Sequence, residues 1–153
     1  MTVTLQAMPA DRVEAWIARS YGVYLQERIA SGEAPDVAEA RAKRSHSENF
    51  PHGQPLPTHR IFEVLAEGEV VGLLWIGPQI EGSDTWWVFD IEIDEAFRRR
   101  GHARAALELG HQEAKRLGAM AIGLNVFGFN TGAKELYEKL GYAVTATQMK
   151  RTL

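Results

Sequence analysis

The sequence predicts an α/β domain with helices on both faces of a mixed sheet, in the element order β-α-α-β-β-β-α-β-α-β. Three observations carry this expectation. Two alternating segments, Arg60 to Ala66 and Val70 to Ile76, flank Gly68-Glu69 in the pattern of a hairpin. Thr85 to Ile93 is nearly all apolar or aromatic on one side, as a long buried strand would be. Two later segments carry apolar residues at helical spacing and end at glycine.

In order, Thr2 to Gln6 reads as a short strand. Pro9-Ala10-Asp11 opens a helix with Val13, Trp16, Ile17, Tyr21, Tyr24, Leu25 and Arg28 at roughly helical spacing, broken by Gly32 and Pro35. A second helix, Asp36 to about Glu48, is mostly polar and offers little apolar face to hold it down. Asn49 to Thr58 contains three prolines and a glycine and reads as a loop. The three strands named above follow. Gly101 to Leu117 then forms a helix with Ala103, Ala106, Leu107, Gly110, Ala114 and Leu117 on one face, ended by Gly118. Ala119 to Phe127 reads as a strand. Thr131 to Leu140 is a helix with Ala133, Leu136, Tyr137 and Leu140 on one face, and Tyr142 to Thr152 supplies a last strand or two.

Length and composition limit the function classes. A chain of 153 residues, 45% hydrophobic and 24% charged, suits one ordered domain spanning 1–153. A net charge of -3 disfavours a general nucleic-acid binder. No apolar run approaches the ~20 residues of a membrane span, and the first residues lack a secretory layout, so the expectation is a cytoplasmic protein without a membrane partner. The absence of cysteine removes thiolate chemistry and sulfur-rich metal sites.

One dense basic run interrupts this acidic chain. Arg98, Arg99 and Arg100 precede Gly101, His102, Ala103 and Arg104 at the junction between the long strand and the next helix. A helix N-terminus offers unpaired amides and a positive dipole end, which suits a phosphate. Gly101 and Ala103 allow close approach, and the arginines add charge. A solvated basic turn without a ligand is the competing reading. A nucleotide P-loop fails for want of the Lys-Ser/Thr ending, and a dinucleotide fingerprint for want of further glycines.

At these residues the chain resembles the GNAT superfamily of acetyl-CoA-dependent N-acetyltransferases. Arg98-x-x-Gly101-x-Ala103 is similar to that family's pyrophosphate-loop pattern, Gln/Arg-x-x-Gly-x-Gly/Ala, and Ile91-Glu92-Ile93 precedes it as the family's fourth strand does. A second block, running from Leu124-Asn125-Val126 through Asn130, Ala133, Leu136 and Tyr137 to Gly141-Tyr142, also matches, as does the ending Met149-Lys150-x-x-Leu153. The resemblance implies a mixed, mostly antiparallel sheet of six to seven strands with about four helices. It places acetyl-CoA on residues 85–142 and leaves 1–58 to read the acceptor. Backbone groups of Ile91, Glu92 and Ile93 would pair with the pantetheine arm like an added strand, and amides from Arg99 to Arg104 would hold the pyrophosphate. Asn130 would contact the cofactor and can also cap the following helix. Tyr137 would protonate the departing thiolate. Transfer would be direct, in a ternary complex, to a primary amine of a small molecule or peptide, by a monomer or homodimer.

The resemblance does not supply the base that the amine requires. Related ribosomal-protein N-terminal acetyltransferases carry glutamate where this chain has Asn125, and asparagine cannot accept the proton. Asp90 and Glu92 are the alternatives. Strand alternation groups them with Trp86 and Val88, opposite Trp87, Phe89, Ile91 and Ile93, although a bulge would change which side chains point inward. Two carboxylates one step apart can attract a cationic amine and accept its proton through water. Equally, they can be structural acids paired with Arg60 or Lys134. Tyr137 has its own bland reading, a core aromatic on the buried face of its helix.

Other residues are expected to be structural. His46, His52 and His59 are too irregularly spaced for a metal site, and no metal is expected. Phe50, Pro51 and His52 read as ordinary surface loop, with a substrate-side lid as the alternative. His102 and His111 are expected to face solvent. Trp16 and Trp75 are assigned to packing, while Trp86 or Trp87 borders the cleft. Two other functions remain open from sequence: a non-catalytic acyl-CoA-binding module on the same fold, and a nucleotide-phosphate binder using the basic loop.

Overall fold

A computed structural model describes residues 2–153, with Met1 outside them. Five strands form one sheet: β1 (Val3–Ala7), β2 (Arg60–Ala66), β3 (Glu69–Pro78), β4 (Thr85–Ile93) and β5 (Ala121–Gly123), hydrogen-bonded in that order. The first four are mutually antiparallel, and β5 runs parallel to β4. Four helices complete the fold: α1 (Ala10–Ala30), α2 (Pro35–Asn49), α3 (His102–Arg116) and α4 (Thr131–Lys139). No helix among the described residues is long and apolar enough to cross a membrane.

The sheet separates two apolar clusters. On one face Val64, Val71, Leu74, Ile76, Trp86 and Val88 pack against Ala106, Leu107 and Ala114 of α3. Gly110 lets that helix approach, because a Cβ there would stand 2.7 Å from Leu74 Cδ2. On the other face Trp16 and Ile17 of α1 meet Phe50, Ile61, Leu73 and Trp75. Phe50 is thus core, only 5% exposed and edge-on to Trp16, which removes it from any mobile lid. The polar helix α2 is also anchored, through Ala38 and Ala42, which are fully buried.

Three sequence expectations need correction. The sheet has five strands rather than six or seven, because Tyr142 to Thr152 forms no strand and the order ends at α4. A strand needs a ladder partner, and the sheet edge it would join, β5, is only three residues long. The expected strand from Ala119 to Phe127 accordingly pairs only over Ala121–Gly123. Finally, β4 is irregular. Trp75 stands opposite Asp90 while Ile76 stands opposite Val88, so β4 carries an extra residue at Phe89. This bulge breaks the alternation. Trp86 and Val88 share the α3 face with Ile91 and Ile93, whereas Phe89, Asp90 and Glu92 join Trp75 and Leu73 on the α1 face. A bulge also bends its strand and ends pairing. The β4–β5 ladder stops at Trp87↔Gly123, and from Val88 onward β4 has no partner on that side among the described residues.

Candidate functional site

The turn between β4 and α3 is built by local chemistry. Arg98 Nε donates to the Ile93 carbonyl at 2.8 Å, folding the loop back onto the end of the strand. Arg99 (φ 60°) and Gly101 (φ 81°) then both adopt left-handed backbone, a region glycine enters freely and arginine rarely. Among the described residues no amide of Arg99, Arg100 or Gly101 donates to a backbone carbonyl, and the first backbone bond of α3 is Ala105 N–H to Gly101 O. The first-turn amides of His102, Ala103 and Arg104 are therefore also free. These groups border a cavity of about 320 Å³ lined by Ile93, Phe97, Arg98, Arg99, Gly101, His102, Ala103 and Arg104. Gly132 and Leu136 of α4 form its far wall.

Of the expected loop, Arg98, Arg99, Gly101, His102, Ala103 and Arg104 border this one cavity, and two details differ from expectation. Arg98 directs its Nε to the Ile93 carbonyl, although it is exposed like Arg99, Arg100 and Arg104, and Arg104 also approaches Glu108 at 3.4 Å. His102 does not face solvent. It is 5% exposed, with Nδ1 buried and unpartnered, because the first residue of α3 turns inward under the loop. Asn130 caps α4 by accepting from the Ala133 amide at 3.4 Å.

Beyond the bulge, Asp90 and Glu92 lie on the α1 face, and Arg19 of α1 approaches Glu92 at 3.6 Å. Neither expected partner reaches them: Arg60 hydrogen-bonds the carbonyls of Pro57 and His59, and Lys134 lies beside Glu138. Burial, then the charges of Glu92 and Glu27 and a hydrogen bond with Glu92, pushes the Asp90 carboxyl up to about 8. Glu27 is raised as well, by desolvation and then by Glu92. Sequence reasoning missed Glu27, since nothing in α1 distinguishes it from the other polar residues there.

Tyr137 of α4 packs at the edge of the cluster that α3 covers. Its phenol is half-buried and raised above its ordinary value, first by desolvation and then by the charges of Asp90 and Glu27. It therefore stays protonated at neutral pH and can donate. Asn125 is exposed and offers no base. His111 does not face open solvent either; it is half-buried, with Nε2 2.6 Å from the Tyr142 hydroxyl. The loop histidines do not gather. His59 is buried and accepts from Trp75 Nε1 at 3.0 Å, and His46 packs against Tyr21 and Phe50. Trp86 is buried, while Trp87 covers Gly123 at the end of the β4–β5 ladder.

A loop of free amides and arginines therefore follows a free strand edge that bears two acidic residues, and α4 with its phenol walls the same cavity. Comparison with known proteins finds the same arrangement of chain. The acetyltransferase (GNAT) family matches residues 17–142. Two Bacillus subtilis (strain 168) proteins are similar over their whole length. The uncharacterized N-acetyltransferase YycN is 28% identical, with 100% of both chains covered, and the uncharacterized N-acetyltransferase YdgE is 30% identical, with 100% of this chain and 99% of its own. The crystal structure of YycN superposes with a TM-score of 0.88 over 99% of each chain. A more distant fold match, at 16% identity and a TM-score of 0.61 over 100% and 99% of the chains, is AAC(6')-Iy in complex with a bisubstrate CoA analogue.

Proposed function

We propose, from the premise that the chain belongs to the GNAT acetyltransferase family, that it moves the acetyl group of acetyl-CoA to a primary amine of a small molecule or peptide. Transfer is direct, within a ternary complex, and 1–153 acts as a single domain. Residues 85–142 hold acetyl-CoA, and 1–58 shape the acceptor side.

The residues at the loop fit such a cofactor. Arg99, Gly101, His102, Ala103 and Arg104, whose amides are free, line one cavity, and the neighbouring arginines add charge. The unpaired edge at Ile91, Glu92 and Ile93 can take the pantetheine arm as a short extra strand. Asn130 stands at the same end of α4 as Gly132. Acetyl-CoA, when bound, supplies the activated acetyl thioester, and every other part of the chemistry falls to the chain. The complex of AAC(6')-Iy with a CoA analogue supports this use of the fold.

The observation that carries the reading is the set of free amides around a cavity whose far wall is α4, the helix that bears Tyr137. Tyr137 Oη holds the proton that the departing sulfur needs. Asp90, near 8, is poised to accept one from an arriving ammonium, directly or through water, with Glu92 beside it. Glu27, Asp90 and Glu92 together favour a cationic acceptor.

Release of thiol from acetyl-CoA across a panel of primary amines tests this. Tyr137→Phe should slow release about a hundredfold or more while leaving acetyl-CoA binding intact. An unchanged rate would remove Tyr137 as the acid. Absence of a melting shift with either acetyl-CoA or free CoA would sink the cofactor assignment.

A further inference from the structure

The C-terminus of α4 contains an arrangement that lies outside both the cofactor loop and the acid–base pair. After Leu140 the chain turns at Gly141 (φ 94°), where the Gly141 amide donates to Glu138 O at 3.1 Å and the Tyr142 amide donates to Tyr137 O at 3.0 Å. That pair of bonds is a Schellman motif, which usually brings the side chains at its two outer positions into contact. Here those side chains are Tyr137 and Tyr142, whose rings meet edge to face at 5.7 Å. Tyr142 does not end there. Its hydroxyl lies 2.6 Å from Nε2 of His111, and its ring lies 5.5 Å from that imidazole. His111 belongs to α3, the helix whose N-terminus forms the amide nest.

We infer that Tyr142 and His111 are positioning residues: their hydrogen bond fixes the Tyr142 ring, which in turn sets the Tyr137 phenol relative to the helix that holds the cofactor. The inference rests on the reading of Tyr137 as proton donor. Tyr137 makes no side-chain hydrogen bond among the described residues, so ring packing and its helix are what orient it. A phenol that must meet a leaving sulfur tolerates little displacement, and a shift of about 1 Å can cost up to about a hundredfold in rate. Purely structural packing would not need the hydroxyl–imidazole bond. A Phe–Leu contact at the same two positions would bury as much apolar surface without leaving polar atoms to satisfy.

The test compares thiol release from acetyl-CoA with spermidine, a lysine-containing tripeptide and water as acceptors. Tyr142→Phe keeps the ring and loses the hydroxyl, and His111→Leu removes the other end of the bond. Each should lower kcat about tenfold with KM for acetyl-CoA within about twofold. The double variant should be no slower than either single one, His111→Gln should recover most of the rate, and neither change should slow Tyr137→Phe further. Full kcat in Tyr142→Phe, while Tyr137→Phe is slow, would overturn the inference alone. So would additive losses, or losses in kcat and KM that simply follow a falling Tm. If Tyr137→Phe matches the native rate, or the native protein releases no thiol with any acceptor, the proton-donor reading falls and takes this inference with it.

Discussion

Asp90 is held in the folded protein at a protonation equilibrium far from that of an exposed aspartate, and this shapes both stability and rate. Its carboxyl rises to about 8 because it is buried and faces Glu92 and Glu27. In the unfolded chain the group returns to about 4. The native state therefore binds the proton more tightly. The associated stabilisation is complete below about pH 4 and is lost as pH rises towards 8. Asp90→Asn should consequently melt a few degrees higher than the native protein at pH 8, with little difference at pH 4, as scanning calorimetry would read. The same substitution should slow transfer about a hundredfold and flatten the rise of kcat/KM with pH that centres near 8, the same acceptor being used throughout. A carboxylate that penalises the fold and leaves the rate untouched when removed would be structural. At the same scale, Asn130→Ala removes the α4 cap and should cost about 1 kcal/mol in denaturant unfolding.

Among the elements, β4 decides most. Its pairing with β3 is tight at Gly72, where a Cβ would come 2.1 Å from the Glu92 carbonyl oxygen. That oxygen is backbone and cannot swing away, so Gly72→Ala must separate the two strands. The expected cost is about 1–3 kcal/mol, with a raised KM for acetyl-CoA because the Ile91–Ile93 edge moves. A thermal melt and a saturation curve would check both. The bulge in β4 also marks where sequence reading stops. The Arg98–Arg104 turn, the start of α3 and the cap at Asn130 were legible because charge, glycine and capping chemistry act within a few residues. The extra residue at Phe89 was not, since a one-residue slip between strands leaves no trace in a run as apolar as Trp86-Trp87-Val88-Phe89. It moved Asp90 and Glu92 to the face opposite Trp86 and Val88, and the pairing with β5 stops just before it. Glu27 and the His111–Tyr142 bond stayed hidden for a related reason: each joins residues from separate elements, and the sequence holds no local sign of the meeting.

Across the whole molecule, charge is divided along β4. The net charge of -3 conceals a cationic end at Arg99, Arg100 and Arg104 and an acidic one at Glu27, Asp90 and Glu92, where Asp90 gains its charge only as pH rises towards 8. On the proposed function the first end suits phosphates and the second a cationic amine, so each substrate would be steered to its own end. Raising ionic strength from about 0.05 to 0.5 M shortens the screening distance about threefold. KM for acetyl-CoA and for a cationic acceptor should both rise, while kcat, set by groups already in contact, changes little. A neutral acceptor at the pH used should lose only the first effect.

The unpaired stretch of β4 between Val88 and Ile93 is, finally, a surface to which another strand can adhere. In a concentrated solution of the protein alone, that edge is the natural place for neighbouring copies to add on and begin aggregating. Any molecule that lies along it as a strand would act as a solubiliser. If the proposed cofactor lies there, shelf life should depend on coenzyme A supply, with light scattering under mild heating delayed by free CoA at concentrations too low to alter the viscosity or ionic strength of the buffer.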